Sequence, residues 1–370
     1  MKTDFSNYPF PVIELAGDAH ERGRAYGSQC KALIGKAIDI YRRLFRLASN
    51  LDWDQSVTKA KEFIPFIQAY DDDIMQEIHG IAEGSGRTLE EIVALNVRSE
   101  LLFLMASESQ NGVPECTSLA ITPPSGPGSV LLAQNWDWYP QTQDLCVILK
   151  MRQKDRPNII QIVEAGIIAK IGFNSAGVGL CTNALVSDQC RVGVPFHAIL
   201  RKILNAETMA DAIGAVTAPA RASSGNYLIG HADGEAINIE AAPYDFNVIY
   251  SERGVITHAN HFCIKNTKIR DAVPSMWPDT LMREFRVRKL LAERQDRIDA
   301  AFIEEILRDH FDRPYSVCTH RVESQPEEKQ GQTNASIIIN LDRKTMAVAK
   351  GPPCEHDFVT ISDKELMKGC

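Results

Sequence analysis

No apolar run in the chain approaches the ~20 residues that a membrane-spanning helix needs; Leu101–Ala106 is typical of the longest. The opening MKTDFSNYPFPVIEL lacks the cationic region and apolar stretch of a secretory leader, and Lys368-Gly369-Cys370 matches neither a peroxisomal SKL-type address nor a prenylation box. A cytoplasmic location and no membrane partner are therefore expected. Basic residues are not in excess: 40 Lys and Arg against 48 Asp and Glu leave a net charge of −8. That balance argues against non-specific binding to nucleic acid. The nine cysteines include no Cys-x-x-Cys pair, and their odd number, scattered from Cys30 to Cys370, favours reduced thiols over a disulfide framework. Phosphate-loop and serine-elbow signatures are missing too. No strand precedes Gly84-Ser85-Gly86, and Gly172-Phe173-Asn174-Ser175-Ala176-Gly177 departs from G-x-S-x-G by one residue.

What is present is an ordinary globular composition, 44% hydrophobic and 24% charged over 370 residues, with material for a sizeable core. At ~150 residues per domain this length suggests two domains, although one large domain is allowed. Residues 18–107 have helical periodicity. His20–Ser49 reads as one buried helix face, Gln55–Glu83 as a second helix stopping at Gly84-Ser85-Gly86, and Thr88-Leu89-Glu90-Glu91 as a capping box opening a third. From residue 116 onward, short β-branched or alternating runs between Gly, Pro, Ser and Asp read as strands, with helices near 196–204, 206–215, 278–293 and 299–310. The polar loop Ser107–Glu115 divides the two regions.

Cys116 stands directly after that loop, at the start of a strand. Pro123 to Gly128 is a strong turn, so 116–122 and 129–138 should form a hairpin placing Cys116 opposite Asn135 or Trp136. Alternation then puts Asn135 and Asp137 on one face and Trp136 and Trp138 on the other. A thiol needs a base or a lowered pKa to become a strong nucleophile. No histidine is near in sequence, so a histidine brought in by the fold is one route. The other is the residue's own free α-amine, which requires a chain cut just before Cys116. A buried structural cysteine is the third reading.

Several segments together resemble the isopenicillin N acyltransferase family, the autoproteolytic cysteine branch of the N-terminal nucleophile hydrolases. They are EIHGIAEGSGRTLEEIVALNVRSE at 77–100, ECTSLAI at 115–121, AQNWDW at 133–138, GVGLCTNAL at 177–185, THANHF at 257–262, SVCTH at 316–320 and TNASIIINLDRKTMAVAKGPPC at 333–354. The resemblance implies an α+β fold, a four-layer αββα sandwich forming one domain over 1–370. It implies cleavage between Glu115 and Cys116, giving an α chain of residues 1–115 and a β chain of residues 116–370. Cys116 is then the nucleophile, Asp137 the acid that orients its amine, and Asn260 a donor to the tetrahedral oxyanion, a role worth about 3 kcal/mol in other acyl-transfer enzymes. Asn183 and Asn135 are expected at the substrate.

The activity so implied is hydrolysis or transfer at the amide of a small N-acyl amine or N-acyl amino acid through an acyl-thioester on Cys116, with acyl-coenzyme A as a possible donor and no cofactor. Two departures stand out. Glu115 replaces the glycine that precedes the cysteine in penicillin-making members, which bears on the rate of self-cleavage, and Gln330-Gly331 occupies the place of a Ser-Arg pair, which lowers the expectation of penicillin acylation. The alternatives are a Cys/His hydrolase without self-cleavage, using His258, His261 or His320, and a non-catalytic binding protein. A metal site at His258, His261 and Cys263 is not expected, because a continuous strand would send the two histidines to opposite faces. The basic run Arg283–Lys289 reads as a solvated helix face, or as a surface for an anionic substrate.

Overall fold

The computed structural model describes residues 8–103, 116–126, 128–266, 268–294 and 297–368. The loop 107–115, and with it Glu115, lies outside the described residues. The chain opens with a strand that the sequence reading missed, β1 (Val12–Ala16). Asp18 and Glu21 then form a reciprocal capping box at the start of α1 (Ala19–Gln29). The helix expected over His20–Ser49 is broken at Cys30, whose φ and ψ of −102° and 12° interrupt the helical geometry before α2 (Lys31–Ser49). The second expected helix is three: α3 (Trp53–Lys61), α4 (Ile64–Tyr70) and α5 (Asp72–Ser85). Pro65, in the first turn of α4, has no N–H with which to continue a helix from α3. Gly86 ends α5 at φ +69°, and the Thr88–Glu91 capping box opens α6 (Leu89–Asn96), followed by α7 (Arg98–Phe103).

Helix α1 meets α5 across glycines. A Cβ added at Gly23, Gly27, Gly80 or Gly84 would lie 2.1–2.3 Å from a carbonyl oxygen of the opposing helix. The close approach of the two backbones therefore requires glycine at all four positions.

The remainder is mostly strand. It runs through β2 (Cys116–Ile121), β3 (Leu131–Trp138), β4 (Cys146–Arg152), β5 (Ile159–Glu164), β6 (Ile171–Asn174) and β7 (Val178–Ala184). Helices α8 (Phe196–Leu204) and α9 (Met209–Thr217) precede β8 (Gly225–His231), β9 (Glu235–Ala241), β10 (Phe246–Tyr250) and β11 (Val255–His258). Then come α10 (Val273–Met276), α11 (Asp279–Glu293) and α12 (Ala300–Leu307), and finally β12 (Gln332–Asn340), β13 (Thr345–Lys350) and β14 (Val359–Ser362). One sheet has the order β1-β4-β5-β6-β7-β8-β9-β10 and the other β11-β2-β3-β12-β13-β14.

The two sheets face one another. Gln134 of β3 exchanges two hydrogen bonds with the backbone of Thr182 on β7, at 2.6 and 2.8 Å, and Ser118 of β2 donates to Asn183. Helices α1, α8 and α9 pack on the larger sheet, α11 and α12 on the smaller, which gives the αββα order. Alternation explains the burial of β2 and β3 on both faces. Leu119, Ile121, Leu131 and Ala133 point outward to Val287, Leu291, Ile303 and Leu307, while Ala120, Leu132 and Trp136 point into the gap between the sheets. One apolar core runs from Phe10 to Met367 and includes residues before and after the undescribed stretch 104–115. No helix among the described residues is long and apolar enough to cross a membrane.

Candidate active site

The hairpin has the register set by its turn: Cys116 pairs with Trp136, and the ladder runs to Ile121 opposite Leu131. Directly opposite residues share a face, so the Cys116 thiol lies with Trp136 in the gap between the sheets. Its residue is 4% exposed. Burial pushes the thiol up to about 11, against the opposing pull of the Lys170 ammonium. The thiol is therefore protonated at neutral pH and needs a base.

Side chains reach both polar atoms of the Cys116 backbone. Its N–H donates to Asn260 Oδ1 at 2.7 Å, and its carbonyl accepts from Arg283 Nη1 at 2.9 Å. Arg283 also donates to Thr117 Oγ1 at 2.7 Å and to Asn260 Oδ1 at 3.1 Å, while its Nε reaches Asp279. Asn260 is fixed from two further sides, its N–H by Thr280 and its Nδ2 by the Ala184 carbonyl. One guanidinium thus organises the nucleophile's carbonyl and the amide that holds its nitrogen.

Of the other residues expected at the site, Asp137 lies on the opposite face of β3 from the thiol. Its carboxylate accepts from Thr333 Oγ1 at 2.6 Å and from Thr319 Oγ1 at 3.2 Å. Burial lifts its pKa to about 8, although Arg283, Thr333 and Thr319 act the other way. Asn135 shares that face and is spoken for: its Nδ2 donates to the carbonyls of Leu307 and Val317, and its Oδ1 accepts from Ser336. The structure thus places Asn135 as a tie between β3, β12 and α12, away from the thiol. Asn183 is in the gap. Its Oδ1 accepts from Ser118 and Asn226, and its fully buried Nδ2 has no hydrogen-bond partner among the described residues. An unpaired buried amide donor is costly unless something else uses it, and an incoming carbonyl oxygen is a fitting acceptor.

Two charged residues here escaped the sequence reading. Arg283 was placed in a solvated basic run, yet it is 2% exposed. The available signal was its spacing from Val287 and Leu291, four and eight residues on, both buried. Lys170 interrupts the apolar run Gly166-Ile-Ile-Ala-Lys-Ile-Gly172. Its Nζ lies 4.5 Å from the Trp136 ring centroid and 5.9 Å from that of Trp138. Burial lowers its pKa to about 8, Arg98 lowering it further and Cys116 opposing. Behind it, Arg98 pairs with Glu164 at 3.1 Å and stacks 4.4 Å from the Trp138 ring, and Tyr41 bridges Glu164 and the Trp138 indole N–H.

The histidines proposed as bases are engaged elsewhere. His258 Nε2 contacts Glu240 at 2.9 Å and its Nδ1 contacts the Ala259 carbonyl. His261 meets Thr280, and His320 sits beside Cys318 and Cys354. Among the described residues no imidazole hydrogen-bonds the Cys116 thiol. The expectation that His258 and His261 point to opposite faces is corrected: β11 ends at His258, the chain turns, and the two rings stack with centroids 6.4 Å apart.

Comparison with known proteins gives a family match. The model described as acyl-coenzyme A:6-aminopenicillanic acid acyl-transferase matches residues 124–351. The 40 kDa form of acyl-coenzyme A:6-aminopenicillanic-acid-acyltransferase from Emericella nidulans is 30% identical over 332 residues, covering 89% of this chain and 88% of that protein. Among solved structures, a mutant conjugated bile acid hydrolase from Clostridium perfringens aligns with a TM-score of 0.48 and 14% identity, over 68% of this chain and 94% of that one. Penicillin V acylase from Agrobacterium tumefaciens aligns with a TM-score of 0.43 and 14% identity, over 64% and 82%.

Proposed function

Because the chain belongs to the acyl-coenzyme A:6-aminopenicillanic acid acyl-transferase family, we propose that it cuts itself before Cys116 and then opens amide bonds of small N-acyl amines or N-acyl amino acids. The observation that carries this reading is the handling of Cys116. A strand-initial cysteine has its nitrogen held by Asn260 and its carbonyl by Arg283, with its thiol buried between the sheets. A structural cysteine needs none of that.

In self-cleavage the Cys116 thiolate adds to the Glu115 carbonyl carbon. The C–N bond to Cys116 breaks, the nitrogen takes up the proton lost by sulfur, and water hydrolyses the resulting thioester. The freed α-amine is then the base that a thiol with a pKa of about 11 requires. In turnover the amine takes the thiol proton and sulfur adds to the substrate's acyl carbon. The substrate's amine leaves as its nitrogen takes that proton from the α-ammonium, and water then hydrolyses the thioester to release the acid. Asn183 Nδ2, unpartnered in the gap, and Asn260 are the amides set to meet the oxyanion. The Lys170 ammonium stabilises negative charge developing on sulfur and so favours the thiolate.

A second acceptor is an amine, with acyl-coenzyme A as donor. A groove of about 770 Å³ lined by Arg253, Arg288, Arg294 and Arg297, with Glu252 and Glu284 also in its wall, supports that version, since its cations outnumber its carboxylates for a phosphate-bearing ligand. Intact mass and N-terminal sequencing test the core of the reading. Two chains, the second beginning at Cys116, are expected for the wild type and one chain for Cys116→Ala; an uncut wild-type chain with full activity would overturn it. Incubating an N-acyl amine with and without coenzyme A separates hydrolysis, which yields free acid alone, from acyl exchange.

A further inference from the structure

Outside the nucleophile's surroundings, four side chains from three stretches of sequence converge: His310, Cys318, His320 and Cys354. Their ligand atoms all lie within 4.8 Å of one another. Cys318 Sγ is 3.7 Å from Cys354 Sγ, His320 Nε2 is 3.5 Å from Cys318 Sγ and 3.4 Å from Cys354 Sγ, and the two imidazole Nε2 atoms are 3.1 Å apart. A tetrahedral zinc ion with Zn–S near 2.3 Å and Zn–N near 2.0–2.1 Å demands edges of about 3.8 Å for S···S, 3.5 Å for S···N and 3.3 Å for N···N. These four edges follow that order and differ from it by about 0.2 Å or less.

Hydrogen bonding alone does not account for the arrangement. His320 Nδ1 faces the Glu355 carboxylate at 3.5 Å, which orients the ring with Nε2 toward the cluster. That nitrogen then confronts three groups, the His310 nitrogen and two sulfurs, with one lone pair. A carboxylate behind a coordinating histidine is the usual outer partner of a zinc ligand. Two soft sulfurs and two imidazoles, with no carboxylate or water position among them, are the donors of a closed structural zinc site and not of a calcium or magnesium site.

We infer that His310, Cys318, His320 and Cys354 bind one zinc ion that clamps the turn between α12 and β12 onto the segment following β13. The clamp has a target. Thr319, flanked on both sides by ligands, donates to Asp137 Oδ2 at 3.2 Å, and its N–H donates to Thr333 Oγ1, which itself holds Asp137 Oδ1. The carbonyl of Val317, one residue before the first sulfur ligand, receives Asn135. Zinc therefore fixes the face of β3 opposite the thiol. The other grouping of such residues, Glu240, His258 and Cys263, is a poorer candidate, because Glu240 already accepts from His258 and from two backbone N–H groups.

The test is zinc content by mass spectrometry of the full chain purified without chelator. About one zinc per chain is expected for the wild type, for Cys190→Ser and for Cys263→Ser. Cys354→Ser and the double variant His310→Ala/Cys354→Ser should hold at least tenfold less. Cys354 is exposed, so its replacement leaves the core intact. As a check on the unaltered chain, replacing zinc by cobalt(II) should give the visible bands and thiolate charge-transfer band of a tetrahedral sulfur-bearing site. A metal-free wild type whose Cys318 and Cys354 both alkylate, a Cys318–Cys354 disulfide in the native protein, or zinc retained by the quartet variants would each overturn the assignment. The readout is independent of self-cleavage, which Cys116→Ala abolishes without touching the quartet.

Discussion

Lys170 offers a sharp test of the electrostatics in the gap between the sheets. It is 5% exposed, and burial first and Arg98 second bring its pKa from 10.5 to about 8. At ~1.4 kcal/mol per pH unit, holding it charged at pH 7 costs the fold about 3 kcal/mol. Its ammonium recovers part of that on the faces of Trp136 and Trp138, where a desolvated cation–π contact is worth about 1–2 kcal/mol. Lys170→Met keeps the volume and removes the charge, so it should stabilise the protein at pH 7 by about 1–2 kcal/mol. The sign follows from linkage. A lysine with a lowered folded pKa destabilises below that pKa, and the penalty fades as pH rises from about 8 to 10.5. The comparison belongs in a Cys116→Ala background, where every molecule is a single chain, with urea unfolding followed at pH 7 and above pH 10.5. The variant should lead at pH 7 and the two curves should converge at the higher pH. A variant less stable at pH 7, or a gap that ignores pH, would refute the reasoning. With Cys116 restored, the same substitution should slow acyl transfer, because the thiolate loses its counter-charge.

Three further outcomes are expected. Arg283→Met removes charge-assisted bonds to the Cys116 carbonyl, Thr117 and Asn260; at about 1.5–3 kcal/mol each, self-cleavage timed by gel should slow by at least about 100-fold. Gly84→Ala would drive a methyl to 2.1 Å from the Arg24 carbonyl oxygen. The α1–α5 contact should open at a cost of about 3 kcal/mol in urea unfolding, despite the better helix propensity of alanine. Glu240→Gln addresses the His258 pair. Burial pulls His258 down, but Cys263 and Glu240 outweigh it and hold its pKa at about 10, while Glu240 is lowered. The raised histidine contributes fully below its ordinary 6.5 and stops contributing as pH passes about 10. The variant should therefore lose about 3 kcal/mol at pH 7 and approach the wild type above pH 10, measured by thermal unfolding.

How far residues alone lead differs from place to place. The hairpin was legible because a six-residue turn and alternation leave little freedom, and Cys116 opposite Trp136 falls where that arithmetic puts it. The break at Cys30 was not, since a helix that resumes at once keeps its apolar spacing; only backbone angles record the interruption. Asn135 does share a face of β3 with Asp137, but that face is turned away from the thiol it was expected to serve, and what fills it depends on α12, some 170 residues later. Charge alone marks Arg283 as a surface residue; its register with Val287 and Leu291 is what marks it as buried. The His310–Cys354 quartet spans 45 positions with no repeated spacing, so only the folded chain brings it together.

Strand β1 joins the two sides of the expected cut. It lies at the edge of the larger sheet, parallel to β4, with Val12 opposite Ile148 and Ala16 opposite Arg152. Behind it, the Tyr26 hydroxyl sits among the backbone atoms of Glu164, Gly166 and Ile167. Were the chain cut before Cys116, the first fragment would still supply a strand to a sheet built otherwise by the second. Such fragments would travel through gel filtration as one particle at fixed one-to-one stoichiometry, and dilution would not part them. Separately expressed, each would lack a partner for surface it can bury nowhere else, so reassembly would demand that both be present when either folds.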